Sequence, residues 1–168
     1  MTGAVAFSDL GVLVVEDDDR HRILLVDMLD SLGVADVRQA SDGSQALKVL
    51  NAFVPDAILA DLRMAPMDGL EFVRRVRRLS PPHDPAVPIL MMTGFADREV
   101  VIAARDAGVT DFVAKPVGLD TLRKRLQMIL NDNRDFVRAD SYAGPDRRRR
   151  DDPAFKGPNR RKRRQTTP

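Results

Sequence analysis

Between Gly11 and Asn131, short apolar runs rich in β-branched residues alternate with longer stretches whose apolar positions recur every three or four residues. That alternation predicts repeated strand–helix units on a parallel sheet. The runs Gly11–Val15, Val34–Gln39, Asp56–Ala60, Val87–Met92 and Thr110–Ala114 predict strands. Each is too short for a helix and apolar along most of its length, as a sheet covered on both faces requires. Helical spacing connects them: Leu25, Met28, Leu29 and Leu32; Ala46, Leu47, Val49 and Leu50; Leu70, Val73, Val76 and Leu79; Val100, Ala103, Ala104 and Ala107; Leu119, Leu122, Leu126, Ile129 and Leu130. Gly33, Gly69 and Gly108 fall at predicted helix ends or turns. The expected fold is α/β, a (βα)5 doubly wound five-stranded parallel sheet over residues 11–131, preceded by an extension of residues 1–10.

After Asn131 the composition turns to Arg, Asp, Pro and Gly with few large apolar side chains. Such a segment buries too little surface to offset its ordering entropy, so residues 132–168 are expected to form a disordered basic tail. Phe136 and Val137 repeat the spacing of Ile129 and Leu130 at seven residues, which extends the last helix to about Ala139. The tail holds one internal repeat: Tyr142-Ala-Gly-Pro-Asp-Arg147-Arg148 returns as Phe155-Lys-Gly-Pro-Asn-Arg160-Arg161. Two copies are too few for a solenoid.

Composition then excludes several classes. With no Cys in 168 residues, the chain is neither disulfide-stapled nor a zinc-thiolate module. Its longest apolar run, Val100–Ala104, is far short of the roughly 20 residues a membrane span needs. The first basic residue is Arg20, so no cationic signal-peptide start is present, and a cytoplasmic protein is expected. The net charge of +2 joins two unlike parts: residues 1–130 carry 15 Lys and Arg against 19 Asp and Glu, residues 131–168 carry 12 against 6.

Ligands of open parallel sheets bind outside the carboxyl ends of the strands. Those positions hold Glu16-Asp17-Asp18-Asp19, Asp61, Thr93-Gly94 and Lys115-Pro116. Clustered carboxylates raise one another's pKa unless a cation joins them. With hard oxygen donors, no Cys and only His21 and His83, the fitting cation is Mg²⁺, which keeps several waters and favours substrate phosphates. An ammonium and a hydroxyl facing it suit a phosphoryl group. Singly, each residue has a plainer reading: Asp18 or Asp19 as the cap of the first helix, Thr-Gly and Lys-Pro as turn chemistry. Their joint occurrence at four strand ends points to a site.

This constellation resembles the receiver domain of two-component response regulators, single-domain and similar to chemotaxis regulators, over about residues 10–131. Asp61-Leu-Arg-Met-Ala-Pro-Met-Asp-Gly69 is similar to the family's Asp-x-x-Met-Pro-x-Met-Asp-Gly segment. Glu16 stands where Asp is commoner, and the loop proline is displaced by one place to Pro66. The resemblance implies a phosphoacceptor signalling protein rather than an enzyme acting on other substrates. Asp61 would take the phosphoryl group from a histidine kinase or phosphotransfer protein, with Asp61, Thr93 and Lys115 as the reactive set. It implies Mg²⁺ bound by Glu16, Asp17, Asp61 and the Arg63 carbonyl, and a switch made by Thr93 and Phe112. Phe112 also reads as a plain core aromatic. Arg63 and Phe95 would flank the approach of the hydrolytic water.

Output is expected through protein–protein contact on the face of the fourth helix, fifth strand and fifth helix, with an unknown downstream protein target. A reading of another class falls on the tail, where Arg147–Arg150 and Arg160–Arg164 form basic clusters behind the aromatic-x-Gly-Pro units. Tyr142, Arg147, Arg148, Phe155, Arg160 and Arg161 are the binding candidates for nucleic acid or an acidic partner. A solvating tail is the bland alternative, and a receiver that has lost phosphorylation is a third reading.

Overall fold

The computed structural model describes residues 6–94 and 97–147. A short 3-10 turn, Phe7–Asp9, leads into β1 (Gly11–Val15), followed by α1 (Asp19–Ser31), β2 (Asp36–Ala40), α2 (Gly43–Leu50), β3 (Ala57–Asp61), α3 (Gly69–Val76), β4 (Ile89–Thr93), α4 (Arg98–Ala107), β5 (Asp111–Ala114) and α5 (Leu119–Leu130). The five strands pair in parallel in the order β2-β1-β3-β4-β5. This is the expected doubly wound (βα)5 fold, whose order reverses between β1 and β3 and opens a crevice there.

Alternating side chains of each central strand go to opposite layers. Leu13, Val15, Ile58, Ala60, Ile89 and Met91 pack with Phe72, Val73 and Val76 on one face. Val12, Val14, Leu59, Leu90 and Met92 pack with Leu25, Leu29, Leu122 and Leu126 on the other. β3 and β4 are buried at every residue, which is why they read as unbroken apolar runs. Carboxylates start four helices: Asp18, Asp42, Asp68 and Asp97 each accept backbone N–H bonds from the first turn. Asp18 is thus the α1 cap. Strand bounds shift by one to two residues from the expectation because Val34 and Val87 are buried in turns, their N–H groups bonded to Leu29 and Asp84 carbonyls.

The chain after α5 corrects the expectation. The helix stops at Leu130 and does not reach Ala139; Phe136–Ala139 forms β6 and Tyr142–Pro145 forms β7, an antiparallel hairpin. The hairpin lies at the end of the domain where the parallel strands begin. Arg134 donates to the Thr110 carbonyl at 2.7 Å, and Arg147 pairs with Asp106 of α4 at 3.2 Å. The Tyr142 hydroxyl donates to the Pro145 carbonyl at 2.6 Å, and Gly144 and Pro145 are buried. Residues 142–147 of the first repeat unit are therefore folded onto the domain; Arg148 and the second unit, at residues 155–161, lie outside the described residues.

Candidate functional site at the strand ends

Four of the five strands deliver a polar residue to one edge. Val15 pairs with Ala60, Asp61 with Met92 and Thr93 with Ala114, so Glu16, Asp61, Thr93 and Lys115 emerge at the same level. The ladder continues past the regular strands, with Glu16 N–H on the Ala40 carbonyl and Lys115 N–H on the Thr93 carbonyl. Arg22 holds the Glu16 carbonyl at 2.8 Å. The Lys115–Pro116 peptide is cis, as is Ala65–Pro66.

Lys115 is the centre of the arrangement. Its ammonium lies 2.6 Å from Glu16 Oε2 and 2.8 Å from Asp61 Oδ1. Glu16 is almost fully buried, and this burial raises its pKa against the opposing pull of the Lys115 bond. Burial also pushes the Lys115 ammonium down, but its bonds to Asp61 and Glu16 outweigh that and leave its pKa raised. Asp61 and Thr93 are buried; Asp17 is exposed at the mouth. One carboxylate oxygen from each of Glu16, Asp17 and Asp61 lies within 4.8 Å of the others. Three hard donors gathered at that spacing, one open to solvent, fit Mg²⁺.

Beyond Asp61 the loop turns back on itself. Gly69 N–H bonds the Leu62 carbonyl at 2.9 Å, and a Cβ on Gly69 would lie 2.2 Å from the Asp61 carbonyl oxygen. Glycine is required there by close approach, which explains the Asp68-Gly69 pair: one residue caps α3, the next lets α3 start against the site. Arg63 is exposed on this loop and shares an open cleft with Asp17, Met64 and Asp68. Phe112 is half-buried against the α3–α4 layer of the core. Phe95 lies outside the described residues, as do Arg148, Phe155, Arg160 and Arg161. Tyr142 and Arg147 sit at the opposite end of the domain from Asp61, in the hairpin.

The sequence reading passed over Arg77. This side chain is 1% exposed and donates to the carbonyls of Gly108, Pro85 and Val87 at 2.7–2.8 Å, with Thr110 Oγ1 at 3.3 Å. Its spacing held the signal, since four residues after Val73 places it on the buried side of α3.

Comparison with known proteins accords with this geometry. Residues 12–127 match the family described as the response regulator receiver domain. The chain is 34% identical over 122 residues to the transcriptional regulatory protein ZraR of Escherichia coli K12, covering 73% of this chain and 26% of ZraR. It therefore spans about a quarter of that curated relative's length. Among solved structures, the Vibrio cholerae chemotaxis protein CheY4 is similar at 33% identity and a TM-score of 0.67, covering 71% of this chain and 98% of CheY4. The receiver domain of the sensor histidine kinase PA1611 from Pseudomonas aeruginosa, which has a magnesium ion coordinated in its active-site cleft, is similar at 31% identity and a TM-score of 0.67, covering 73% and 98%. Among the described residues no helix is long and apolar enough to cross a membrane. Sheet order, strand-end residues and sequence agree: the chain belongs to the family of response regulator receiver domains.

Proposed function

We propose that Asp61 accepts a phosphoryl group from the phosphohistidine of a histidine kinase or phosphotransfer protein, and that the resulting change is read by a partner protein on the α4–β5–α5 face. Phosphorylation on aspartate and Mg²⁺ binding are general properties of this family. The observation that carries the reading is the Lys115 ammonium held at 2.6 and 2.8 Å between Glu16 and Asp61, beside an exposed Asp17. An Asp61 oxygen attacks phosphorus as the phosphorus–nitrogen bond to the imidazole breaks and the imidazole leaves. Lys115 offsets charge on the transferred oxygens, and the Thr93 hydroxyl donates a hydrogen bond to one of them. Glu16, Asp17, Asp61 and the Arg63 carbonyl would hold Mg²⁺, which when bound neutralises charge on the phosphoryl oxygens. Phe112 then moves with Thr93.

The test is incubation with Mg²⁺ and acetyl phosphate, followed by intact mass. Wild type is expected to gain one phosphoryl group and Asp61→Asn none. An unmodified wild type, or equal gain in Asp61→Asn, overturns the reading.

A further inference from the structure

The end of the domain remote from Asp61 carries a cleft of its own, between the last turns of α3 and α4 and the β6–β7 hairpin. Arg74 comes to it from the last turn of α3, Arg78 from the turn that follows, Arg138 from β6, and Arg77 forms part of its wall. Several arginines elsewhere are tied to carboxylates: Arg75 to Glu71, Arg105 to Asp106, Arg123 to Asp120, Arg125 to Asp111. Arg74, Arg78 and Arg138 are exposed, and their side chains make no hydrogen bond or ion pair with any described residue. Asp106, the acidic side chain at the cleft, is already bound by Arg105 and Arg147, both at 3.2 Å.

We propose that this cleft binds the phosphate backbone of a single-stranded nucleic acid. Guanidinium groups match phosphate oxygens with paired donors, and three unspent ones around one cavity make a site for more than one phosphate. The cavity volume, about 210 Å³, is below the roughly 300–1,000 Å³ that encloses a whole small molecule. It is too small to enclose a nucleoside, so the arginines meet backbone phosphates without base readout. The remaining lining is Ala107, Ala139, Ala143, Ser141 and Tyr142, whose ring is covered by the Arg147 guanidinium at 3.7 Å, and the large exposed apolar side chains Ile23, Leu24, Val54, Ile102, Leu119 and Met128 lie elsewhere. Apart from the covered Tyr142 ring, the cleft lacks the apolar anchors that a membrane surface or an apolar peptide requires. Arginine in the last turn of α3 also offsets the helix dipole, but that role does not call for Arg138, which the hairpin adds from outside. The basic runs Arg147–Arg150 and Arg160–Arg164 follow the hairpin in sequence. The proposal stands apart from the chemistry of Asp61.

The test uses the full chain and a fluorescently labelled oligouridine, with anisotropy titrations at several salt concentrations. Arg78→Ala with Arg138→Ala is expected to weaken binding by about tenfold and to lower the slope of log affinity against log salt by about 1.4, at roughly 0.7 per phosphate contact. Arg74→Ala, which leaves the hairpin intact, is expected to lower the slope by about 0.7. Arg75→Ala, with its charge already spent on Glu71, is expected to change neither. Slopes unchanged in the first two variants overturn the proposal, as does loss of binding confined to Arg160→Ala with Arg161→Ala. Binding of wild type to phosphatidylserine vesicles and not to the oligonucleotide also overturns it.

Discussion

A Cβ on Gly144 would lie 2.7 Å from the Cα of Gly108, and one on Gly108 would lie 2.3 Å from the Ala143 carbonyl oxygen. The hairpin and the end of α4 meet backbone to backbone, with no room for a methyl group from either side. Gly144→Ala is expected to cost about 1–3 kcal/mol as an overpacked contact. Gly108→Ala is expected to cost about as much, and both exceed the contact alone, because φ is 99° at Gly108 and 159° at Gly144 and a side chain at either adds strain of about 1–2 kcal/mol. Gly33, with φ 81° but nothing within 4 Å, isolates the backbone share. Urea denaturation of the three variants checks the order, and equal losses would dismiss the close approach.

Replacing Arg77 with Met should destabilise the domain by about 3–5 kcal/mol, since three carbonyls, two buried and that of Pro85 part-buried, lose their donor at once. Burial pulls the guanidinium down to about 10, so it remains charged at neutral pH. Arg77→Lys is expected to recover little of the loss, because one ammonium cannot reach carbonyls from both the β4 approach and the α4 cap. Thermal unfolding of both variants measures this.

Lys115→Ala removes the cation that separates Glu16 from Asp61. Mg²⁺ affinity, followed by calorimetry, is expected to rise as the three carboxylates lose their internal counter-charge. The rate of phosphoryl uptake from acetyl phosphate is expected to fall by about 100-fold or more, as for loss of one preorganised donor. A fall in both would indicate that Lys115 merely holds the fold.

Asp132 offers a pH test of hairpin attachment. Burial pushes its carboxyl up, but side-chain and backbone bonds with Arg134 outweigh this and hold it below the usual 3.8. The folded value lies below the unfolded one, so the contribution is complete above pH 3.8 and fades as pH falls through the lower folded value. The pair is partly exposed, so its share is at most about 1 kcal/mol. Tyr142 is the only tyrosine and there is no tryptophan, so intrinsic fluorescence reports on the hairpin. Arg147 lies 3.7 Å from that ring, and release of the hairpin should change the emission. Wild type is expected to show an acid transition that Asp132→Asn lacks.

The sheet and its polar edge were legible because β3 and β4 are apolar up to their last residue and each stops at a polar side chain, Asp61 and Thr93. Val34 and Val87 misled the strand bounds, since an apolar residue buried in a turn has no period to distinguish it. Phe136 and Val137 matched the helical spacing by chance: Asn131 already ends α5, and the two side chains half-bury themselves in a strand. The hairpin holds few large apolar residues because polar and backbone contacts attach it, and hydrophobic periodicity does not record those. Arg77 was hidden for the same reason, a cation that solvates carbonyls inside the protein.

The hairpin also sets a distance. A strand of five residues such as β3 spans about 17 Å at roughly 3.3 Å per residue; Asp61 is its last residue, and the arginine cleft lies beyond its other end. No single small molecule touches both. On the two proposed readings, phosphoryl donors and polyanions would approach from opposite poles without competing for space, and whatever passes between the two poles would pass through the packed interior of the sheet and α4.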